Sequence, residues 1–284
     1  MRVIHINASY KPAYVYGGPA LSVSRLCEGL VRMGVNLEVL STTANGKEEL
    51  DVDVNKQLRI DGVHITFFKR ITKDHTHFSP HLLWSLFKRL RPERNIKNKI
   101  DVSRKQDQLT CSAPELVHIH VWWNLVSVLS CLVAMVRKTP AVLTPRGTLS
   151  SYTFENRNSL VKVLIHMALG KPLLKHCHFH VTSEKEKEDI LKIVTPKSIT
   201  VIPNFIYLPD LPATQPVTSL IRNNSTPANP FKILFLSRIE EKKGLDLLFE
   251  ALSELSIPYT LTIAGAGDEK YLLYLHALSK KLMI

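Results

Sequence analysis

Short runs of apolar and β-branched residues alternate with helical patterns along most of this chain. Runs that are apolar throughout are typical of strands covered by helices on both faces. Because right-handed crossovers join successive parallel strands, such a series predicts a doubly wound, Rossmann-like α/β sheet. The predicted strands are 3–6, 37–40, 64–68, 116–121, 141–144, 178–182 and 200–202, and the predicted helices are 21–33, 125–136, 160–169 and 185–193.

A change in composition divides this series in two. Residues 206–229 are rich in proline and asparagine, which indicates a linker rather than a helix or strand. We therefore expect one complete Rossmann-like domain at 1–205 and the first βαβα part of a second such domain at 230–284. An α/β domain that holds a nucleotide normally needs on the order of 100 residues, so the second domain is expected to be incomplete.

Composition favours an ordinary globular protein, because 45% of the residues are hydrophobic and 22% are charged. No secretory signal is visible, and no apolar run reaches the ~20 residues that a spanning helix needs. The four cysteines are scattered and form no Cys-x-x-Cys pair, which fits a reducing compartment. The sequence therefore predicts a cytoplasmic protein, with peripheral contact at the inner face of the membrane left open.

The net charge of +12 is concentrated in one segment. Residues 69–105 contain eleven basic and three acidic residues, and the apolar residues within 80–90 give a short basic amphipathic helix pattern. Such a helix could contact an anionic membrane, or the charges could simply belong to a solvated excursion. Nucleic acid is not expected as a partner, because no recognition helix, zinc finger or aromatic platform accompanies the charge.

The segment S-R-I-E-E-K-K-G-L-D, residues 237–246, directly follows a predicted strand at 231–236. Arg238 and Lys243 set two cations beside the start of the next predicted helix, an arrangement that suits a diphosphate. Glycine turns before helices, with Gly17 and Gly18 in the first domain, either let a backbone approach a ligand or merely form turns. The dinucleotide fingerprint and the P-loop are both absent from the sequence.

Polar residues also stand at the ends of predicted strands. His118 and His120 alternate on one face near a strand's carboxyl end, where open α/β sheets bind their ligands. A contact from His120 to a sugar is preferred over a metal site, because no acidic or cysteine ligand accompanies the pair at metal-binding spacing. Arg146 is either an anion clamp or a structural partner, and Ser183 with Glu186 reads as a helix N-cap.

Taken together, these motifs resemble those of family 4 glycosyltransferases, which are retaining enzymes of the GT-B fold. The resemblance rests on G-G-P (17–19), H-I-H-V-W-W-N (118–124), T-P-R-G-T-L (144–149), V-T-S-E-K-E (181–186), V-I-P-N-F (201–205), S-R-I-E-E-K-K-G-L-D (237–246) and I-A-G-A-G-D (263–268). It covers essentially the whole chain, and its most specific part is the segment that holds Arg238 and Lys243.

The resemblance implies a role for each site residue. Arg238 and Lys243 would hold the donor diphosphate and stabilise the leaving group, without a metal or other cofactor. Four glycines would approach the nucleotide sugar, namely Gly17, Gly18, Gly265 and Gly267. His120 would join Arg238 and Lys243 as a catalytic residue from the first domain's side of the cleft, and the residues expected at the cleft and acceptor are Arg146, Asn204 and Glu184. Many members of the family have histidine where this chain has Arg146.

One element of the family is missing. Its members carry a Glu, seven residues and a second Glu that contact the donor sugar and ribose, whereas no Glu here has another Glu eight positions later. Three functions therefore stay open. The first is a hexosyltransferase that moves a sugar from a nucleotide sugar to a glycan or lipid-linked acceptor in polysaccharide or cell-surface glycan synthesis. The second is a truncated, non-catalytic binding domain, and the third is a GT-B-type nucleotide-sugar epimerase.

Overall fold

A computed structural model describes residues 1–90, 114–150, 170–204 and 230–284 of the chain. They belong to two compact units, Met1–Pro209 and Asp210–Ile284, called unit 1 and unit 2 below. The predicted linker at 206–229 and the predicted helix at 160–169 lie outside the described residues. No helix in the four described ranges combines the length and the apolar character needed to cross a membrane.

Unit 1 is built on an eight-stranded sheet of order β10-β9-β8-β7-β1-β2-β6-β5. All neighbouring strands run parallel except β5, which is antiparallel to β6. The strands of unit 1 are β1 (Arg2–Asn7), β2 (Asn36–Thr42), β3 (Ala44–Asn45), β4 (Glu48–Glu49), β5 (Gln57–Ile60), β6 (Val63–Phe68), β7 (Leu116–His120), β8 (Ala141–Thr144), β9 (His178–Val181) and β10 (Ser198–Val201), of which β3 and β4 form a separate antiparallel pair. The predicted doubly wound α/β sheet is confirmed.

The described helices of unit 1 are α1 (Gly18–Arg32), α2 (Pro80–Arg89), α3 (Leu125–Val136), α4 (Lys171–His176) and α5 (Glu184–Ile193). Two of them, α3 and α5, begin at a side-chain cap. The Asn124 side chain accepts a hydrogen bond from the Ser127 amide at 2.8 Å, and Ser183 accepts one from the Glu186 amide at 3.2 Å. These bonds satisfy amides that would otherwise lack partners at the start of α3 and α5.

Two apolar clusters lie in unit 1. One contains Ile4 and Ile119 of the central strands and also Leu82 and Leu86 of α2, all fully buried. The other joins β2 and β6 to α1. The apolar stripe of α2, predicted as part of a basic amphipathic helix, therefore packs into the core of its own unit, and Trp84 is left 54% exposed on the outer side.

Unit 2 pairs the parallel strands β11 (Phe231–Leu236) and β12 (Tyr259–Ala264) with the helices α6 (Leu245–Ser253) and α7 (Glu269–Leu282). Its core consists of Ile239, Leu245, Phe249 and Leu275. Leu234 and Leu236 share one face of β11 and are 64% and 76% exposed. The helices thus cover one face of this small sheet, and the other face presents apolar side chains to solvent.

A buried arginine organises the loops beside the first glycine turn. The Arg70 side chain is fully buried and donates to the Glu49 carboxylate (2.7 Å), the Gly46 carbonyl (3.0 Å), the Glu48 carbonyl (2.9 Å) and His77 Nδ1 (3.2 Å). The Gly46 amide in turn donates to the Tyr16 hydroxyl at 3.0 Å, and the Tyr16 ring meets His77 edge-on. Because Tyr16 directly precedes Gly17, these bonds hold the start of the glycine turn.

We predict that His77 makes stability fall on acidification. Arginine can only donate, so His77 Nδ1 must accept, and the imidazole is neutral. Burial, aided by the charge of Arg70, lowers the pKa of His77 from 6.5 to about 4, against the weaker opposing effect of Asp74 and Glu49. The unfolded chain therefore binds more protons between these values, and the stabilising contribution present above pH 6.5 is lost as the pH falls towards 4.

His77→Gln keeps an acceptor for Arg70 but cannot titrate. Its unfolding free energy, measured by urea denaturation between pH 7 and pH 4, should fall less steeply than that of the natural chain, by up to about 1.4 kcal/mol per pH unit. His64→Gln, at an exposed position of β6, is the control for loss of a histidine. If the unfolding free energy of His77→Gln and that of the natural chain fell equally steeply with pH, a neutral His77 would be contradicted.

Candidate functional site

The sheet of unit 1 reverses its winding between β1 and β7. These strands are parallel neighbours, yet the chain continues from β1 to β2 on one side and from β7 to β8 on the other. In open α/β sheets such a switch point leaves a crevice at the carboxyl ends of the strands, and ligands bind there. The predicted residues Gly17, Gly18, His120, Arg146 and Asn204 all follow or end strands at this edge.

The first glycine turn leaves open space in front of α1. Gly17 has a positive φ of 65°, which favours glycine, and Gly18 is the first residue of the helix. A Cβ atom at either position would meet nothing within 4 Å. Both glycines are exposed, but the Gly17 amide donates to the Tyr14 carbonyl at 2.9 Å and Pro19 has no N–H, so the Gly18 amide is the donor of this turn that an anion or a sugar could reach at the positive end of the 15-residue helix.

Arg146 joins three segments of unit 1. Its Nη1 donates to Ser22 Oγ on α1 at 2.8 Å and to Asn204 Oδ1, just after β10, at 2.6 Å. The sequence predicted Arg146 and Asn204 in one cleft, and the structure places them in direct contact. Arg146 has a positive φ of 53°, a conformation that non-glycine residues adopt rarely and often at functional sites.

The Arg146 guanidinium forms no ion pair with a described residue, although the charge of Glu186 acts on it from farther away. No carboxylate in the described parts of the chain lies within 4.0 Å of it, and its Nε is buried without a hydrogen-bond partner. Burial lowers the pKa of Arg146 to about 10, which leaves the group charged at neutral pH. A bound anion would supply the missing partner.

Glu186 holds the loop of Arg146 in place, a role that the sequence did not reveal. Its Oε1 accepts from the Gly147 amide at 2.7 Å, and its Oε2 accepts from the Thr182 amide at 2.7 Å and hydroxyl at 2.9 Å. The carboxylate thereby ties the turn after β8 to the end of β9. Glu184, predicted at the cleft, is exposed and pairs with Lys187 at 3.1 Å on the same helix.

His120 is part of a buried histidine cluster rather than an exposed strand end. Its side chain is 0% exposed, and its Nε2 lies 3.0 Å from Nδ1 of His5 on β1. His118 Nε2 lies 2.7 Å from Thr144 Oγ1. Burial lowers the pKa of His5 to about 3 and the pKa values of His118 and His120 well below the usual range, so all three are neutral at neutral pH. The predicted sugar contact of His120 stays a prediction.

In unit 2, the loop after β11 presents its basic residues to solvent. Arg238 forms an ion pair with Glu240 at 2.7 Å, and Lys242 pairs with the other oxygen of the same carboxylate at 2.8 Å. Lys243 has no ion pair with a described residue. It ends a short 3₁₀ turn, and Gly244 follows in the left-handed conformation, directly before α6 begins at Leu245.

The second glycine turn packs against the backbone of the Arg238 loop. Gly265 has a φ of 155°, and a Cβ there would overlap the Ser237 carbonyl. A Cβ on Gly267 would lie 2.5 Å from the Ile239 carbonyl, and the Ile239 amide donates to the Ala266 carbonyl at 2.8 Å. These glycines therefore permit a close approach of two loops. Their predicted position near a nucleotide stays a prediction.

An open groove of 630 Å³ also lies in unit 2, but its chemistry does not suit a phosphate. Its lining is mostly apolar and includes Ile239, Phe249 and Leu261, whereas neither Arg238 nor Lys243 takes part. The candidate anion-binding group of this unit is therefore the exposed loop and not the groove.

Sequence profiles of known families account for both units. The profile of Glycosyltransferase Family 4 matches residues 16–208, and that of Glycosyl transferases group 1 matches residues 217–284. The chain belongs to glycosyltransferase family 4. No curated protein matches the sequence.

Solved structures support the GT-B fold of this family 4 chain. A sucrose-phosphate synthase from Thermosynechococcus elongatus is similar at a TM-score of 0.58 and 14% identity, with 99% of this chain and 68% of that one covered. Anabaena Alr3699/HepE in complex with UDP is similar at a TM-score of 0.60 and 14% identity, with 99% of this chain and 66% of that one covered. An Escherichia coli protein bound with UDP-2-fluoroglucose is similar at a TM-score of 0.56 and 13% identity, with 99% of this chain and 70% of that one covered. The family 4 chain thus spans about two thirds of the length of these structures.

We predict that Gly265→Ala disrupts the Arg238 loop. The added methyl group would overlap the Ser237 carbonyl, so the two loops would have to separate. Hydrogen exchange followed by mass spectrometry should show faster exchange of the Ser237 and Ile239 amides, which now donate to carbonyls of the 264–266 turn.

Gly18→Ala is the matched control for this change, since a Cβ there meets nothing within 4 Å and the position is helical. It should leave hydrogen exchange in both units unchanged. Equal exchange in Gly265→Ala and the natural chain would show that the close approach of the two loops is not required.

Proposed function

We propose that this family 4 chain binds a nucleotide sugar and transfers its sugar, with retention and without a catalytic metal, to a glycan or lipid-linked acceptor. A hexose donor and a role in polysaccharide or cell-surface glycan synthesis are part of the proposal. The observation that carries it is the loop after β11, where Lys243 stands unpaired among the described residues at the entrance to α6, five positions after Arg238.

The chemistry of transfer explains why cations are needed there. When the bond between the sugar and the diphosphate breaks, negative charge develops on the leaving oxygen, and preorganised positive groups stabilise it. Arg238 offers a planar fork of donors and Lys243 a compact charge, and α6 adds the positive end of its dipole. In metal-dependent enzymes a divalent ion does this work. We assign it here to the two side chains.

The residues of unit 1 would act on the acceptor or on the transferred sugar. The Gly18 amide at the exposed start of α1 suits an oxygen-rich ligand, and Arg146 and Asn204 add one charge and one amide group. Alr3699/HepE was solved in complex with UDP-glucose, which supports a uridine diphosphate as the first ligand to test on this chain.

Lys243→Gln provides that test. Isothermal titration with UDP should give an affinity about 10- to 100-fold lower than that of the natural chain, because one charge-assisted contact is lost. Lys242→Gln is the matched control one residue away, because that side chain already pairs with Glu240. It should change the affinity by less than about threefold.

Each other outcome decides between the alternatives. UDP binding that is weakened equally by both substitutions would remove Lys243 from its proposed role. UDP binding without hydrolysis or transfer of UDP-glucose would favour a non-catalytic binding domain. Production of an epimerised nucleotide sugar would favour the epimerase, and failure to bind any nucleoside diphosphate would contradict donor binding by this chain.

We also propose peripheral contact with anionic membrane through residues 69–105, of which 91–105 lie outside the described range. In support, the ring of the exposed Trp84 stacks on that of Phe87 with 5.8 Å between their centroids, and Lys88 Nζ lies 5.1 Å from the centroid of the Trp84 ring. An aromatic ring beside a lysine suits the interface between lipid headgroups and acyl chains. A cytoplasmic location at the inner membrane face would follow.

Vesicle co-sedimentation tests this contact. Trp84→Ser should reduce binding to phosphatidylglycerol vesicles by roughly tenfold, since an interfacial aromatic contact is lost. Leu191→Ser, at a 49% exposed apolar position of α5, is the control and should bind as the natural chain does. Equal binding to phosphatidylcholine and phosphatidylglycerol, or no binding at all, would overturn the proposal.

A further inference from the structure

Three histidines meet in the middle of the unit 1 sheet, where the sequence showed only two. His5 on β1 is directly opposite His118 in the parallel register with β7, and His120 lies two residues further along the same face. The ring centroids are 4.3 Å apart for His118 and His120, 4.7 Å for His5 and His118, and 5.2 Å for His5 and His120. All three side chains are buried.

The donor atoms of this cluster have nearly the spacing of a metal site. One ring nitrogen from each histidine can be chosen so that all three lie within 4.8 Å of one another, and His5 Nδ1 and His120 Nε2 are only 3.0 Å apart. In a tetrahedral zinc site with bonds of about 2.0 Å, neighbouring nitrogens stand about 3.3 Å apart.

Hydrogen bonding leaves the cluster incomplete. His5 and His120 are neutral, so together they carry two N–H groups and two lone pairs, and their mutual bond uses one of each. The two outer nitrogens, His5 Nε2 and His120 Nδ1, are buried and have no partner. One N–H and one lone pair thus stay unsatisfied whichever ring donates. An ion held by His5 Nδ1 and His120 Nε2 would replace their mutual bond and leave one N–H on each outer nitrogen, so the support for a metal comes from the spacing of the inner nitrogens and not from the unpartnered outer ones.

We propose that His5, His118 and His120 form a binding site for a late first-row transition-metal ion, of which zinc(II) is the representative. Imidazole is a preferred ligand for such ions, and the ligands must be neutral, which burial already ensures. Thr144 supports the arrangement, because a hydroxyl that accepts from His118 Nε2–H leaves the lone pair on Nδ1.

The surroundings define how the site differs from a catalytic zinc centre. No carboxylate belongs to the described cluster, and the charge of Arg146 acts on all three histidines. Affinity should therefore be lower than in sites that contain an acidic ligand. His180, whose ring lies 5.7 Å from that of His118, is bonded through Nε2 to the Ile202 carbonyl. The metal would link β1 to β7 within unit 1. The donor binding proposed for unit 2 would still need no metal.

The experiment uses the full chain after removal of metals with a chelator. Titration with zinc(II) chloride should show one site per chain and a rise in the melting temperature, because the ion binds the folded state. Cobalt(II) should give the intense visible absorption of a four-coordinate ion. His5→Gln and His118→Gln should each lower zinc affinity about 100-fold, whereas His64→Gln, exposed on β6, should leave it unchanged.

X-ray absorption of the zinc-loaded natural chain keeps the proposal testable if a buried variant fails to fold. Scattering from three imidazoles around the ion would support the site, and a shell with one imidazole or none would overturn it. An equal loss of affinity in His64→Gln, or no binding beyond the level of exposed histidines, would show instead that the cluster is a hydrogen-bonded core. These results do not depend on UDP binding or transfer.

Discussion

The parallel pairing of β1 with β7 is the contact on which unit 1 depends. It sets the switch in the winding of the sheet, so that the loop after β1 and the loop after β7 leave the same edge in different directions. It also places His5 opposite His118 in the interior. The outer end of the two strands therefore leaves open space beside Gly17 and Gly18, whereas the inner part carries a set of buried, neutral imidazoles.

The sequence predicted those parts of the fold that depend on local pattern. Runs such as that of β1 are mostly apolar and β-branched, so their burial can be read directly, and Ser183 lies where a cap was expected. The edge strand β5 (Gln57–Ile60) alternates polar and apolar residues as a strand does, but it was missed because the alternation spans only four residues, none of them buried. Its pairing with β6 comes from tertiary packing and not from its own propensity.

Some site residues could likewise be predicted from the sequence, whereas others depend on contacts between distant parts of the chain. Arg146 and Asn204 were expected in one cleft from the resemblance to family 4, and their contact agrees with the position of both after strands whose carboxyl ends share an edge. The role of Glu186 could not be predicted, since it depends on a turn 39 residues away. His5 was missed because its partnership with His118 requires the register between strands 113 residues apart, which no local signal specifies. Parallel neighbours with histidine on matching faces are the pattern to look for.

The ion pairs of Glu240 give the donor loop a built-in counter-ion. With Arg238 on one carboxylate oxygen and Lys242 on the other, the loop is partly neutralised before any ligand arrives. Under the proposed function, a diphosphate would displace this tethered anion from Arg238, and the anion would return when the diphosphate leaves. Such an exchange would lower the equilibrium affinity, but it would also ease release, because Glu240 restores an ionic contact to Arg238 as the product departs. Release of a nucleoside diphosphate is a step that tight phosphate binding would otherwise slow.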